Sequence, residues 1–512
     1  MIMAMDIPVT ATMHRRENKH FGRDGCALAS LFIFSLPISA AGLHFSPAVS
    51  INERYSDNVT LTETNREAAF MTEIRPGFIL HRDGARGQFH LDYGLQGLIY
   101  SHDSAANRHH HQLSAALTSH WLDKHFFMDA HARIAQQNTN ASGPIGSENY
   151  NLTANRSETR SFSVSPAWQN RFDRQANLNL RWQLTHTDID NASLSAATAS
   201  TLLANLNSGS AFNQIPWQMA FRLQNSDHPN NQGDRNTYFS SGVSYIVSPK
   251  TQLNLTLGHD DNNGDTASFN AASGAYWNVG ITWTPGTRTL LKASAGERYS
   301  GKSYDLNLTH RTRKSTWALR YNEDISDLYS QVNGSGAFDI YQCAEFPFVV
   351  AAGSPGPEQA DCDGVTPTLI LPAQIIQFPQ IVNGYNLNQS WSGSASYHTS
   401  KSRFTVNLNK SQRKLLASNT QDSTQAIIGN WTLQLSPRLS SIITASTTHY
   451  ETPLNANSQS ESDDNSLAWT TAYRFSKQQT GGLEFKRLAR DAGKNSRPYK
   501  ENSMTARLNI AF

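Results

Sequence analysis

Motifs that signal catalysis are absent from this 512-residue sequence. It contains no Gly-x-Ser-x-Gly nucleophile turn, no His-Glu-x-x-His helix and no Cys-x-x-Cys pair. A hydrolase on the face of a β-barrel can still assemble its Ser, His and acidic residues from distant positions, so that class is kept as an alternative. We predict that the protein is not an enzyme and that it needs no cofactor.

Clusters of metal-ligand residue types occur, but their spacing is wrong for a metal site. His109, His110 and His111 are consecutive, and neighbours in a strand point to opposite faces, so only His109 and His111 can share an ion. The segment 261–265 lacks the spaced ligands and terminal Glu of a calcium loop. The acidic segment 461–464 would bridge divalent cations to lipopolysaccharide or simply be solvated in an external loop. We predict no metal site.

Residues 1–40 are predicted to be a signal peptide. Basic residues at positions 15, 16, 19 and 23 precede an apolar run from Cys26 to Ile38, which the small residues Ser39 and Ala40 follow. A retained membrane anchor is the alternative, but the run is short for a span. We expect export and a mature domain over residues 41–512. Its two cysteines, Cys343 and Cys362, can then form a disulfide in an oxidising compartment.

The composition excludes several classes of protein. Hydrophobic residues make up 38% and charged residues 16% of the chain, against roughly 45–50% and about 25% in soluble domains. Disordered chains usually have few aromatic residues and a high net charge, whereas this chain has 10% aromatic residues and a net charge of +2. It also lacks the stripe of basic residues that is typical of nucleic-acid binding. The mean hydropathy of −0.51 excludes a bundle of membrane helices.

Apolar and polar residues alternate along most of the chain after residue 43. In 277–283, Trp, Val, Ile and Trp alternate with Asn, Gly and Thr, and in 404–408 Phe, Val and Leu alternate with Thr and Asn. Such a period of two indicates strands with one apolar and one polar face. A soluble β-sandwich would show the same alternation.

Connection lengths favour a membrane barrel over a sandwich. The pattern gives about 22 strands, within a plausible range of 16–22, and about every second connection is a tight turn, such as 83–85, 173–174 and 285–286. Short periplasmic turns that alternate with longer external loops are typical of outer-membrane barrels. We predict an all-β fold, a transmembrane antiparallel up-and-down β-barrel in the outer membrane of a Gram-negative bacterium.

The end of the chain carries an apolar face that finishes in an aromatic residue. Leu508, Ile510 and Phe512 alternate with polar or small residues. This pattern resembles the terminal-strand signal that the barrel assembly machinery recognises, so we predict that machinery as a partner. A terminal strand that happens to end in Phe is the alternative.

The segment 326–384 is the longest predicted connection and lies on the external side. Long segments without secondary structure are usually functional or disordered. It contains the two cysteines of the mature chain, whose disulfide would contribute on the order of 3 kcal/mol locally. This segment would narrow the lumen, cap the mouth or remain a surface loop.

Charged residues at the parity opposite to the large apolar ones are predicted to line the lumen. A charge on the lipid face would cost roughly 2–4 kcal/mol at the midplane. The predicted lumen-lining residues are Arg133, Arg181, Arg222, Lys292, Arg298, Arg320, Arg474, Lys486, Asp305 and Glu484. They would select anionic solutes in a porin-like conduit, or they would pair with one another and fill the barrel structurally.

Several strand and turn motifs resemble those of the outer-membrane β-barrel proteins associated with the PEP-CTERM system. The motifs are YSDNV at 55–59, RPG at 75–77, GERY at 296–299, HRTR at 310–313, Trp317 and YNED at 321–324. The resemblance runs through the mature chain and is best in its middle third. It implies an outer-membrane component linked to exopolysaccharide production or export, with exopolysaccharide and its export proteins as partners.

The sequence therefore predicts a non-enzymatic barrel that forms a polar conduit or accessory pore for polysaccharide. Its partners would be outer-membrane lipid and lipopolysaccharide, and no nucleic acid. A structural barrel that anchors surface polymer through its loops is the competing hypothesis. Energy-coupled importers carry a plug domain before their first strand, and here the strand pattern begins at Phe45, so an importer is disfavoured.

Overall fold

A computed structural model describes most of residues 42–512. The ranges left out are 102–103, 123–124, 141–142, 147, 192–193, 195, 228–232, 265–272, 300, 327, 334–337, 343–346, 352–367, 372–380, 382–385, 416–417, 456–457 and 494. The predicted signal peptide at 1–40 and the predicted Cys343–Cys362 disulfide lie outside the described residues.

The sheet is a closed antiparallel barrel of 22 strands, which confirms the predicted fold class. The first strand pairs with the second on one side and with the last on the other, so the sheet closes on itself. A further sheet of three short strands belongs to the long connection predicted at 326–384. In the described residues no helix is long and apolar enough to cross a membrane.

The strands follow one another around the barrel in chain order. The first eight are β1 His44–Ser56, β2 Ala69–Gly84, β3 Gly87–Tyr100, β4 Arg108–Trp121, β5 Phe126–Asn138, β6 Arg156–Phe172, β7 Ala176–Ile189 and β8 Ala197–Ser208. The next seven are β9 Trp217–Asp227, β10 Asp234–Ser248, β11 Thr251–Asn263, β12 Gly274–Gly286, β13 Thr289–Arg298, β14 Gly301–Arg311 and β15 Ser315–Ser326. The last seven are β19 Asn386–His398, β20 Ser402–Leu415, β21 Thr420–Ser436, β22 Leu439–Asn455, β23 Ser458–Arg474, β24 Gln479–Ala492 and β25 Tyr499–Ala511.

Residue parity decides which face of the barrel a side chain occupies. On β12 the outward side chains of Trp277 and Val279 are 47% and 51% exposed, whereas the inward Tyr276 is 7% exposed. Large apolar side chains are stable on the outside because lipid, rather than water, is their expected solvent. Polar residues at the other parity then face the interior, which accounts for the low apolar fraction of the chain.

Aromatic side chains on the outer face gather in cross-strand pairs. Phe404 and Trp431 stack at 5.4 Å between ring centroids, and so do Trp469 and Phe485 at 5.7 Å. In the described residues four indole N–H groups donate to nearby serine hydroxyls, among them Trp431 to Ser402 at 2.8 Å. Amphipathic rings of this kind are typical of the girdles at membrane interfaces.

The two ends of the barrel differ in the length of their connections. Most connections at the end with the two barrel termini, here called the turn end, are tight, and Asp173 adopts φ 46° in one of them. Asp tolerates this left-handed conformation better than most residues. The other end, the loop end, has the long connections, although β13–β14 and β22–β23 are joined by two residues each. The alternation of loop length is therefore less strict than the sequence predicts. At the turn end, the connection between β8 and β9 is longer than most and contains a 3-10 turn at Ser210–Phe212.

The predicted loop 326–384 contains secondary structure of its own. It begins with a short helix, α1 Leu328–Asn333, and continues with β16 Phe338–Gln342, β17 Pro347–Ala351 and β18 Thr368–Leu371. Strand β16 pairs with both β17 and β18.

Candidate functional site

The inward face of the barrel is the candidate site, and strand register assigns its residues. The ten predicted lumen-lining residues all lie at the inward parity, as successive register partners show. For example, Lys292 and Arg320 are both register partners of Asn307. The face is thus assigned by register, while the role of these residues in selectivity stays a prediction.

Many inward charges form ion pairs with neighbouring strands. Arg181 lies 2.5 Å from Asp129 and Arg298 lies 3.3 Å from Asp260. Deeper pairs are Arg413 with Asp422 and Arg490 with Asp464, whose arginines are 0% and 1% exposed. Glu484 pairs with Arg507 at 3.0 Å, and Arg474 donates to Pro437 O at 2.8 Å at the turn end. Pairing neutralises much of the lumen charge, so these groups contribute to wall structure.

Three of the predicted residues form an exposed patch on adjacent strands. Lys292 on β13, Asp305 on β14 and Arg320 on β15 have exposed side chains, and none of the ion pairs found in the described residues includes them. Asp305 faces Ser294 in the register, two residues from the level of Lys292 and Arg320. Two cations and one anion give the patch a net positive charge, which attracts anions in a polar lumen.

Two of the predicted residues, Arg222 and Arg298, lie at the two ends of a row of stacked side chains that runs from β9 to β13. The Arg222 guanidinium lies 5.5 Å from the ring centroid of Tyr238, and that ring stacks on Tyr276 at 5.9 Å and 18°. The Arg298 guanidinium lies over the Tyr276 ring, 4.9 Å from its centroid. Gly258 leaves space for this stack, because a Cβ there would lie 2.3 Å from the Tyr276 ring. Cation–π contacts hold the two guanidinium groups in place along the wall.

The connection between β5 and β6, residues 139–155, folds into the loop end of the lumen; it is called the inner loop below. It contacts strands that are far away around the barrel. Arg490 on β24 donates to Gly143 O at 2.6 Å, and Tyr499 on β25 donates to Ile145 O at 3.1 Å. Tyr100 on β3 donates to Tyr150 O at 2.6 Å. The inner loop therefore narrows the opening beside β24, β25, β1 and β3.

Glu148 of the inner loop forms ion pairs with two arginines of the barrel wall. Its carboxylate lies 2.5 Å from Arg54 Nη2 on β1 and 3.4 Å from Arg507 Nη2 on β25. Burial alone would raise the pKa of Glu148, but the positive charges of Arg54 and Arg507 outweigh it and lower this pKa to about 2. Glu148 is therefore ionised throughout the neutral range and joins two strands through charge-assisted hydrogen bonds.

Tyr150 and Asn151 attach the inner loop to a second carboxylate. Tyr150 Oη donates to Glu501 Oε2 at 3.3 Å, and Asn151 Nδ2 donates to Glu501 Oε1 at 3.1 Å. Arg54 stacks on the Tyr150 ring at 3.9 Å. Desolvation raises the pKa of Tyr150 well above its usual range, so its hydroxyl keeps the proton that it donates. Tyr150, Asn151 and Glu501 are 3%, 2% and 1% exposed, so water does not compete for these bonds.

The β15–β19 connection also reaches across the mouth. Leu328 and Val332 of α1 pack in one buried cluster with Ile189 of β7, which lies on a distant part of the wall. Gln137 at the end of β5 donates to Val332 O at 3.1 Å. Ile381 of the same connection donates its N–H to Thr139 O of the inner loop at 3.3 Å. The described parts of the two connections thus contact each other at the loop end.

The remaining sequence clusters carry no site. Among the described residues no group of His, Cys, Asp and Glu has the geometry to hold a metal ion. His109 and His111 face outward and His110 inward on β4. The acidic segment 461–464 is not an external loop as predicted, because it belongs to β23, with Asp464 inward and bonded to Arg490. In the part of the chain that the structure describes, His449 contacts Asp463 with one ring nitrogen and Glu451 with the other, so neither ring nitrogen of this residue is paired with a hydroxyl.

Comparison with solved structures identifies the fold. The FrpB iron transporter of Neisseria meningitidis (F3-3 variant) superposes with a TM-score of 0.50 at 10% identity, covering 91% of this chain and 81% of that one. The protein is an outer-membrane β-barrel. The siderophore receptors PirA of Acinetobacter baumannii and of Pseudomonas aeruginosa give TM-scores of 0.49 and 0.47 at 12% and 11% identity, covering 91% and 92% of this chain and 80% of each receptor. No protein-family model and no curated protein sequence matches this chain.

The inner loop is the part of the site that the sequence does not predict. Its composition between Asn140 and Asn155 is that of a polar surface loop. The available signal was Glu148 with Tyr150, a charge and an aromatic residue within a segment of Asn, Ser and Gly. Their partners lie as far as 359 residues away, so no local pattern identifies them.

Proposed function

We propose that this protein is a non-enzymatic conduit for exopolysaccharide across the outer membrane, narrowed at its outer mouth by the inner loop. The observation that carries the proposal is the polar inward face of a 22-strand barrel. Outer-membrane barrels have a polar interior, which is filled with water in porins, and barrels of 16 or more strands are wide enough to leave an aqueous lumen or to hold a plug. By the usual orientation, the loop end faces outward and the turn end faces the periplasm.

Neutral polar side chains in cross-strand contact supply much of the lining. Ser390 donates to Asn322 at 2.6 Å, Ser411 donates to Asn388 at 2.7 Å and Thr444 donates to Asn430 at 2.9 Å. Hydroxyl and amide groups both donate and accept hydrogen bonds. A hydroxyl-rich polymer can exchange such bonds with the wall as it moves, so the lining supports a saccharide cargo.

The exposed positive groups of the lumen support an acidic polymer over a neutral one. Lys292 and Arg320 form an exposed positive patch with Asp305, and the row of stacked side chains that ends in Arg222 and Arg298 lies on neighbouring strands. Positive lumen charges raise the local concentration of anions and favour their passage. The resemblance to barrels associated with the PEP-CTERM system is the reason for naming exopolysaccharide as the cargo.

Reconstitution in planar bilayers tests the conduit. The wild-type barrel and a variant with residues 143–151 replaced by a short Gly-Ser linker are compared in conductance, first with salt alone and then with acidic or neutral polysaccharide added. We expect a larger conductance for the linker variant and stronger block by the acidic polymer. Absence of conductance from both proteins would refute the conduit.

A docking role is the second candidate, supported by the extra sheet β16–β18 outside the barrel strands. Replacing residues 334–380 by a linker separates the two roles in cells. A conduit still exports polymer without this sheet, whereas a docking barrel exports polymer that is no longer retained at the cell surface. Released and bound polymer are measured separately.

A further inference from the structure

The outer face of β15 and β19 to β22 carries a groove of about 390 Å³. The outward side chains that line this groove belong to two neighbouring rows of the strand register. The row nearer the loop end contains, in order, Tyr321, Trp391, Lys410, Gln425 and His449. These residues all have the outward parity, so they face the membrane rather than the lumen.

The second row lies one step closer to the turn end and is apolar. It contains Leu319, Gly393, Leu408, Ile427 and Thr447 in successive register. The side chains of Leu319, Leu408 and Ile427 are 37%, 49% and 51% exposed. Gly393 leaves a depression between the leucines, because an added Cβ would approach Leu408 and Leu319 only at 3.7 and 3.8 Å.

The groove therefore has an apolar floor that continues toward the membrane centre and a polar edge toward the outer surface. Trp391 at the polar edge packs against Tyr321, with 4.6 Å between ring centroids and the rings tilted by 42°. Tyr and Trp are enriched at membrane interfaces, which suits this edge of the groove. Lys410 stands beside Trp391 in the register, is exposed, and forms none of the ion pairs found in the described residues. Its stem can lie along apolar surface while its ammonium group reaches the headgroup layer.

We propose that this groove binds one outer-leaflet glycolipid of the lipopolysaccharide type, with an acyl chain on the Gly393 floor and a headgroup phosphate at Lys410. The charge of Lys410 complements a phosphate, and the position of the polar edge toward the loop end matches the outer leaflet. His449 is already bonded to Asp463 at 2.8 Å, so the acidic groups beyond it keep the phosphate on the Lys410 side.

A second outer groove provides an internal comparison. It encloses about 360 Å³ near the turn end and is lined by Tyr473, Phe475, Leu483 and Leu508 on the outward face. Its one cation, Arg507, has the inward parity and pairs with Glu484. This groove is similar in size but offers no positive charge to a phosphate, so it is not expected to retain the glycolipid.

Native mass spectrometry of the barrel purified from outer membranes in mild detergent tests the site. The variants are Gly393→Leu, which fills the floor, and Lys410→Gln, which removes the charge. Matched controls are Gly97→Leu on the outward face of β3, where an added Cβ meets only Ile74 O at 3.5 Å, and Lys302→Gln on the outward face of β14. Heat-modifiable migration in gels verifies that each variant folds.

We expect the wild-type barrel and both controls to retain one phosphorylated glycolipid. Lys410→Gln should retain about fivefold less of it, which is the size of a partly desolvated charge contact. Gly393→Leu should also retain less, because its side chain occupies the floor on which the acyl chain lies. Unchanged retention in both groove variants, equal loss in the controls, or a glycerophospholipid as the retained species would each overturn the proposal.

Discussion

Glu148→Gln is expected to release the inner loop without disturbing the barrel wall. The carboxylate accepts from Arg54 at 2.5 Å and contacts Arg507 at 3.4 Å. A hydrogen bond to a charged group contributes about 1.5–3 kcal/mol. Gln keeps one acceptor oxygen, and the Glu148 side chain is 33% exposed, so solvent screening reduces the loss to about 1–2 kcal/mol. That loss raises the undocked fraction of the loop about 5- to 30-fold.

Single-channel recording in planar bilayers at neutral pH measures this fraction as time spent at high conductance. Asp129→Asn is the matched control, since it removes one lumen carboxylate, paired with Arg181 at 2.5 Å, on the wall of β5. We expect Glu148→Gln to increase the high-conductance time and Asp129→Asn to leave it unchanged. If both variants behave alike, lumen charge rather than loop docking sets the conductance, and the reasoning is wrong.

Three further outcomes follow from the same contacts. The folded pKa of Glu148 is lowered to about 2 from 4.5, so its contribution to loop docking is complete above pH 4.5 and is lost as the pH falls toward 2. The time spent at high conductance should therefore rise between pH 4.5 and 2 in the wild-type barrel. Glu148→Gln should show no such rise. Lys292→Gln combined with Arg320→Gln should shift the reversal potential in a salt gradient toward cation selectivity, whereas the outward Lys302→Gln should not. Deletion of Phe512 should lower the amount of barrel inserted in the outer membrane at least severalfold, while protein refolded in detergent keeps its thermal stability.

The barrel could be predicted from the sequence because its signal is local. An apolar residue at every second position of β11 or β20 must face lipid, and a tight turn such as 173–174 must end a strand. Parity likewise places Arg181 and Asp129 on the same face.

The partners of the lumen groups could not be predicted in this way. Parity does not reveal that Arg181 bonds to Asp129, because that pair depends on the register of three strands. The segment 326–384 is the longest connection, but the contacts with β24, β25 and β1 come from the shorter inner loop. The difference arises because closure of the barrel pairs its first strand with its last, and no local sequence pattern indicates which residues that closure brings together.

Contacts of the inner loop cross the one pairing that joins the two ends of the barrel, β1 with β25. Glu148 bonds to Arg54 on one side of this pairing and to Arg507 on the other, while Glu501 of β25 accepts from Ser56 of β1 at 2.5 Å. Their sequence separation means that the pairing forms only after the last strand is made, with a large cost in chain entropy. The inner loop can then dock only on a completed barrel. Once docked, the inner loop must be released before the β1–β25 pairing can reopen. The inner loop therefore slows the reopening of the barrel as well as narrowing its lumen.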